Sequence, residues 1–155
     1  MFTYARSNNS TIFVEKNVFN TNKIYNQIAF DKQELHCADI VQQHMESKRL
    51  QTERYVIQNN GIPMGILEYG MHSPRTNMPW LTLLLIDKKY QGKGLAKNVY
   101  LQFETWMQVN GAPKIQIAVH ANNEKALLFW SDMGFRQYDE RVYQAKRYYS
   151  LEKRL

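Results

Sequence analysis

The stretch LTLLLI (Leu81 to Ile86) runs into Asp87-Lys88-Lys89-Tyr90-Gln91-Gly92-Lys93-Gly94-Leu95-Ala96, and this junction decides the fold. Near-continuous apolarity over one short run predicts a central strand covered on both faces. Beyond the glycines, Leu95, Ala96, Val99, Tyr100, Phe103, Trp106 and Met107 recur at helical offsets, so the strand leads into an amphipathic helix that packs on the sheet. Gly111-Ala112-Pro113 stops that helix, and Lys114 to His120 alternates Ile115, Ile117 and Val119 as a second strand. A further helix is predicted over Glu124 to Met133, ended by Gly134, and Phe135 to Tyr149 reads as two more strands. Strand, helix, strand, helix, strand implies an α/β sheet with at least one parallel pair.

Upstream the pattern is weaker. Thr11 to Glu15 reads as a short strand and is followed by two helical stretches; in the second, Leu35, Ala38, Val41 and Met45 recur at helical spacing. Glu53 to Gln58 and Pro63 to Tyr69 flank Asn60-Gly61, the pair that suits a tight hairpin turn. No repeat, low-complexity tract or composition shift divides the chain, and 155 residues suit one core, so residues 1–155 are expected to form a single domain.

Composition removes several classes. Unbroken apolar runs such as Leu83 to Ile86 are too short to span a bilayer, and the N-terminus lacks the basic and apolar regions of a signal peptide, so no membrane partner is expected. The single cysteine, Cys37, excludes an internal disulfide framework; it is expected to be buried or half-buried, in a protein of the reducing cytoplasm. His36 and His44 stand about 80° apart on a helix, with no thiol or carboxylate at a supporting offset, so no metal site is expected. Lys plus Arg exceed Asp plus Glu by 20 to 14, a net +6 that favours anionic partners without specifying a fold.

The chemistry lies at the glycine turn. Glycines at a strand-to-helix junction let the backbone approach a ligand, and the unpaired N–H groups of a first helical turn attract a phosphate. Spacing excludes the common phosphate motifs: no Gly-Lys-Ser/Thr closes a P-loop, and Lys97 stands where a dinucleotide fingerprint needs its third glycine. Taken alone, the turn is equally compatible with an ordinary glycine-containing connection.

Gln91-x-x-Gly94-x-Ala96 after a hydrophobic strand is followed by Asn123-x-x-Ala126-x-x-Phe129-Trp130-x-x-x-Gly134-Phe135 after a strand ending Val119-His120. Together these closely resemble the two signature motifs of the GNAT family of acyl-CoA-dependent N-acetyltransferases. The resemblance covers Leu81 to Phe135 and implies a mixed α/β (α+β) sheet of about six to seven strands flanked by about four helices. It implies acetyl-CoA as cosubstrate, direct transfer of the acetyl group to a primary amine in a ternary complex, and no metal. By position, Gln91, Gly92, Lys93, Gly94, Leu95 and Ala96 would wrap the coenzyme pyrophosphate, with Lys93 as a nearby charge. Leu84, Leu85 and Ile86 would form the splayed strand end that pairs with the pantetheine arm and polarises the thioester carbonyl. Asn123 would contact the arm near its thiol while also suiting a helix N-cap.

The sequence departs from the family pattern at Lys88, where proline is common, and at Trp130, which replaces the tyrosine proposed to protonate the leaving thiolate. An indole cannot supply that proton, although Trp130 can pack against pantetheine. For the base that deprotonates the acceptor, Glu68 and His120 are the two candidates, the first on a strand beside the central one, the second at the end of the strand flanking the cleft. The resemblance places the acceptor near Phe19, Tyr25, Phe30, Arg75 and Trp80, and small amines, peptide N-termini and lysine side chains all suit these residue types. A coenzyme-binding sensor without turnover shares the same loop, and a basic nucleic-acid module rests on the +6 charge alone, with no reading motif to make nucleic acid a specific partner. A homodimer is compatible with the aromatic content, 10 Tyr and 3 Trp.

Overall fold

The computed structural model describes Met1–Leu155. Seven strands form one sheet in the order β1-β2-β3-β4-β5-β7-β6. These strands are β1 (Phe2–Arg6), β2 (Glu53–Asn59), β3 (Ile62–Gly70), β4 (Trp80–Ile86), β5 (Lys114–His120), β6 (Arg136–Tyr143) and β7 (Lys146–Arg154). Helices α1 (Ile12–Asn20), α2 (Lys23–Phe30) and α3 (Cys37–Leu50) precede β2, while α4 (Leu95–Val109) and α5 (Glu124–Asp132) flank β5 in sequence. None of them is long and apolar enough to cross a membrane.

The second half follows its hydrophobic periodicity. Val99, Tyr100, Phe103 and Met107 of α4 are buried with Ile115, Ile117 and Val119 of β5 and Trp130 of α5 in the larger core. A smaller core on the other side of the sheet joins Val18 and Phe19 of α1 and Ile40 of α3 to Ile66 and Leu85. The central LTLLLI strand is covered on both sides as expected, with Ile86 in the larger core and Leu85 in the smaller.

The first fifty residues depart from expectation. Thr11 to Glu15 is not a strand: Asn8 accepts from Ser10 N–H at 2.8 Å, Thr11 Oγ1 accepts from Asn8 N–H at 2.9 Å, and this reciprocal cap starts a 3-10 turn that runs into α1. The edge strand lies earlier, at Phe2–Arg6, paired antiparallel with β2. Three helices form rather than two. In α3 the stripe is also displaced: Ile40 is buried, whereas Val41 and Met45 are 43% and 59% exposed. Cys37, expected to be buried or half-buried, is exposed at the start of α3.

α3 docks largely through polar groups. Arg54 of β2 donates from Nε to Glu68 at 2.6 Å, and from Nη1 to Glu15 at 3.1 Å and Gln43 at 2.7 Å. Ser7 and Thr11 donate to Glu15 at 2.7 Å, and His44 Nε2 lies 3.0 Å from the same carboxylate. Burial alone would push the Glu15 carboxyl up, but the bonds from His44, Ser7 and Thr11 and the charge of Arg54 hold it below the usual range.

The two hairpin turns form an internal comparison. Asn60 and Gly61 take φ of +52° and +76°, which suits these residue types. Gln144 and Ala145, between β6 and β7, take +50° and +62° with side chains that disfavour this region. Replacing them by Asn and Gly is expected to raise stability by about 1–2 kcal/mol. Urea unfolding of Gln144→Asn/Ala145→Gly at an unchanged m-value checks this.

Candidate active site

The sheet opens at its one parallel junction. β4 and β5 share a single registered pair, Trp80↔Gln116, with Gln116 N–H donating to Pro79 O at 3.0 Å. The cause is local. Glu68 of β3 faces Leu83 but Tyr69 faces Leu81, so Thr82 is an extra residue in β4. Such a bulge bends the strand and increases its twist.

Beyond the bulge, β4 turns backbone polar groups toward the cleft. Asp87 N–H donates to Met64 O at 2.8 Å, which makes these two a bonded pair of the antiparallel ladder. By alternation Leu85 directs its N–H and C=O to β3, whereas Leu84 and Ile86 direct theirs toward the diverging β5. Of the three residues expected to present free backbone groups, Leu85 therefore points the wrong way. The Ile86 carbonyl accepts instead from Asn22 Nδ2 at 3.0 Å and Gln91 Nε2 at 2.7 Å.

The glycine turn follows directly. Gly92 and Gly94 both take φ of +78°, and nothing lies within 4 Å of a Cβ built on either. Asn98 N–H to Gly94 O is the first intrahelical bond of α4, and the N–H groups of Gly92, Lys93, Gly94, Leu95 and Ala96 have no protein acceptor. Open space before a row of free donors at a helix start fits a diphosphate. The Gln91 side chain frames this turn: besides Ile86 O, its Nε2 meets Asn22 Oδ1 at 2.7 Å, and its Oε1 accepts from Lys125 Nζ of α5 at 3.0 Å. Asn22, at the α1–α2 junction, went unnoticed in the sequence because its contact depends on tertiary packing.

Asn123 caps α5 by accepting from Ala126 N–H at 3.2 Å, which leaves its Nδ2 unengaged. Trp130 is only 8% exposed and packs edge-on against Tyr100 and Phe135, with ring centroids 5.3 and 5.2 Å away. Its ring joins α4 to α5 in the core.

The two candidate bases differ in commitment. Glu68 is 5% exposed, and its two oxygens accept from Arg54 Nε and Thr52 Oγ1, each at 2.6 Å. His120 lines a cavity of about 300 Å³, packs against Tyr148 with ring centroids 4.5 Å apart and planes tilted by 40°, and has a buried Nε2 with no hydrogen-bond partner. Burial, reinforced by the charge of Lys146, pushes this imidazole below its usual range and favours the neutral form.

Of the residues expected near the acceptor, Phe19, Tyr25 and Phe30 form one aromatic cluster. Burial pushes the Tyr25 phenol up to about 12. Arg75 pairs with Asp139 at 3.0 Å, and Trp80 begins β4. His36 caps α3 and His44 serves the Glu15 network.

A mixed sheet split beside its central strand, with a phosphate-fitting turn at the split, is the acyl-CoA N-acyltransferase architecture. The chain belongs to the acetyltransferase (GNAT) family, whose model matches residues 19–135. It is 31% identical over 84 residues to N-alpha-acetyltransferase 30 of Schizosaccharomyces pombe, a match covering 54% of this chain and 53% of that protein, so the chain spans about half the length of this curated relative. An acetyltransferase from Thermus thermophilus superposes with a TM-score of 0.81 at 20% identity, covering 100% of this chain and 97% of that one. Spermidine N-acetyltransferase from Vibrio cholerae, solved with CoA and spermine, superposes with a TM-score of 0.73 at 14% identity, covering 99% and 95%. These structural likenesses concern the fold.

Proposed function

We propose that this protein transfers the acetyl group of acetyl-CoA directly to a primary amine. The observation that carries the reading is the row of unpaired N–H groups from Gly92 to Ala96, placed where β4 and β5 separate. The diphosphate of the coenzyme sits on these groups, and its arm runs along β4 beside Leu84 and Ile86. A backbone N–H of that strand donates to the thioester carbonyl as negative charge develops on its oxygen. Asn123 Nδ2 meets the same arm from α5.

His120 takes the proton from the acceptor ammonium, because its imidazole lines the cavity and favours the neutral form. Glu68 instead holds Arg54 and, through it, the packing of α1 and α3. The amine nitrogen bonds to the carbonyl carbon, the carbon–sulfur bond breaks, and CoA leaves as a thiolate that water protonates. A thiol of pKa about 8.5 is a good enough leaving group that Trp130, in place of a tyrosine acid, does not prevent turnover.

Calorimetry with acetyl-CoA and a screen of amines for CoA thiol release test this reading. Binding with release for at least one amine is expected. Absence of acetyl-CoA binding defeats it, and binding without release from any amine replaces it with a coenzyme sensor. His120→Ala is expected to lower kcat/KM about 100-fold while acetyl-CoA binding persists. In the parent protein kcat/KM falls as pH drops through a value below about 6.5, because protonation removes the base. That acidic limb disappears in the variant.

A further inference from the structure

The cavity at the end of β5 has a distinctive charge. Ile28 of α2, His120, Asn122, Lys146 and Arg147 line it, together with two alanines; no carboxylate lies in the lining itself, although Arg147 Nε pairs with the half-exposed Glu140 at 3.1 Å outside it. Strand register extends the same character into the sheet. His120 lies directly opposite Tyr148, and Tyr148 directly opposite Arg141, so the three side chains form a row on one face. Lys146 shares that face by alternation along β7, and its Nζ reaches Asp31 at the end of α2 at 2.8 Å.

Two atoms of this row, His120 Nε2 and Arg141 Nε, are buried with no hydrogen-bond partner. A guanidinium N–H withdrawn from water without an acceptor is costly, and the acceptor that suits it best is an oxyanion. Asp31 answers Lys146 only in part. Its side chain is 75% exposed, and an ion pair with such a partner is weak, so an incoming anion can replace it.

We propose that this face receives the acceptor, and that the acceptor is a primary amine with an acidic side chain close to its nucleophilic nitrogen. The inference rests on the acetyl-transfer reading and deepens it. The amine lies at His120 while the carboxylate lies toward Lys146 and Arg141. A polyamine would bring further ammonium groups into a cavity already lined by cations. The shared chemistry, an amine with a side-chain carboxylate within a few bonds of it, is found both in free acidic amino acids and in peptides with an acidic second residue.

The test uses the full chain with acetyl-CoA and reads CoA thiol release. The acceptors are free glutamate, free glutamine, spermidine, and peptides that begin with alanine followed by glutamate, glutamine or lysine. An acidic acceptor is expected to exceed its amide counterpart about tenfold in kcat/KM. Whether free glutamate or the glutamate peptide leads identifies the source. Lys146→Glu is expected to reverse the preference in favour of the lysine peptide, Arg141→Gln to raise KM for the acidic acceptor, and Asp31→Asn to lower it. Thiol release that is equal for acidic, neutral and basic acceptors, and indifferent to these substitutions, overturns the anion subsite while leaving acetyl transfer standing. Release from none of the acceptors or a wider amine screen overturns both.

Discussion

Arg54→Met is expected to cost about 3–5 kcal/mol of unfolding free energy, the largest stability effect of any single substitution at an ion pair in this protein. The size follows from what remains after the guanidinium is gone. The side chains of Glu15 and Glu68 are 0% and 7% exposed, so two carboxylates lose their cation where water cannot replace it. Gln43 loses a donor at 2.7 Å as well. A surface pair gives the contrast: Lys32 and Asp39, 43% and 32% exposed, should yield no more than about 1 kcal/mol to Lys32→Ala. Urea unfolding of both variants measures the difference. The parent network has a pH signature too. The lowered folded-state pKa of Glu15 contributes stability that is complete above the ordinary carboxylate range and lost as pH falls through the folded value. Without Arg54 one of the causes of that lowering is removed, and acid unfolding is expected at higher pH. Equal losses for Arg54→Met and Lys32→Ala would refute this account of how α1 and α3 are held.

The same network explains which parts of the fold were legible. From Leu81 to Phe135 each element announces itself by apolar spacing and glycine stops, because α4, β5 and α5 pack through hydrocarbon. Before β2 the docking residues are Glu15, Asn26, Gln43 and His44, types that read as surface in a linear sequence. Val41 and Met45 then suggest a face for α3 that the structure turns toward solvent, while Ile40 does the packing. Thr11 to Glu15 resembles a strand by its β-branched residues, yet the cap between Asn8 and Thr11 starts a helix there. The glycine turn could be read as a turn because the positive φ of Gly92 and Gly94 is a local backbone property. The row of His120, Tyr148 and Arg141 could not, since it exists only because β7 inserts between β5 and β6. Glu68 looked available as a base for the same reason: its partner Arg54 lies on the next strand, and their contact depends on register.

Gly94→Glu is expected to weaken acetyl-CoA binding at least about 100-fold, the largest functional effect of a change at the coenzyme turn. Two separate causes act at this residue, and they can be distinguished. The first is conformational. At φ of +78° any L side chain carries about 1–2 kcal/mol of strain, and relief of that strain rotates the peptide units on either side of residue 94. The second is electrostatic: a carboxylate would stand before the free N–H groups of Leu95 and Ala96, occupying the place of an anion and repelling one that approaches. Gly94→Ala isolates the first cause, because nothing lies within 4 Å of its Cβ and no charge is introduced. Strain lowers the stability of the free protein, whereas charge lowers the gain in stability that acetyl-CoA confers, which follows from mass action. The alanine variant is therefore expected to melt earlier than the parent yet still be stabilised by acetyl-CoA, and the glutamate variant to melt no earlier than the alanine variant, because its carboxylate accepts from the free donors, and to gain almost nothing. If both variants were stabilised by acetyl-CoA as fully as the parent, the diphosphate would have to bind elsewhere, and the turn from Gln91 to Ala96 would be no more than a connection between β4 and α4.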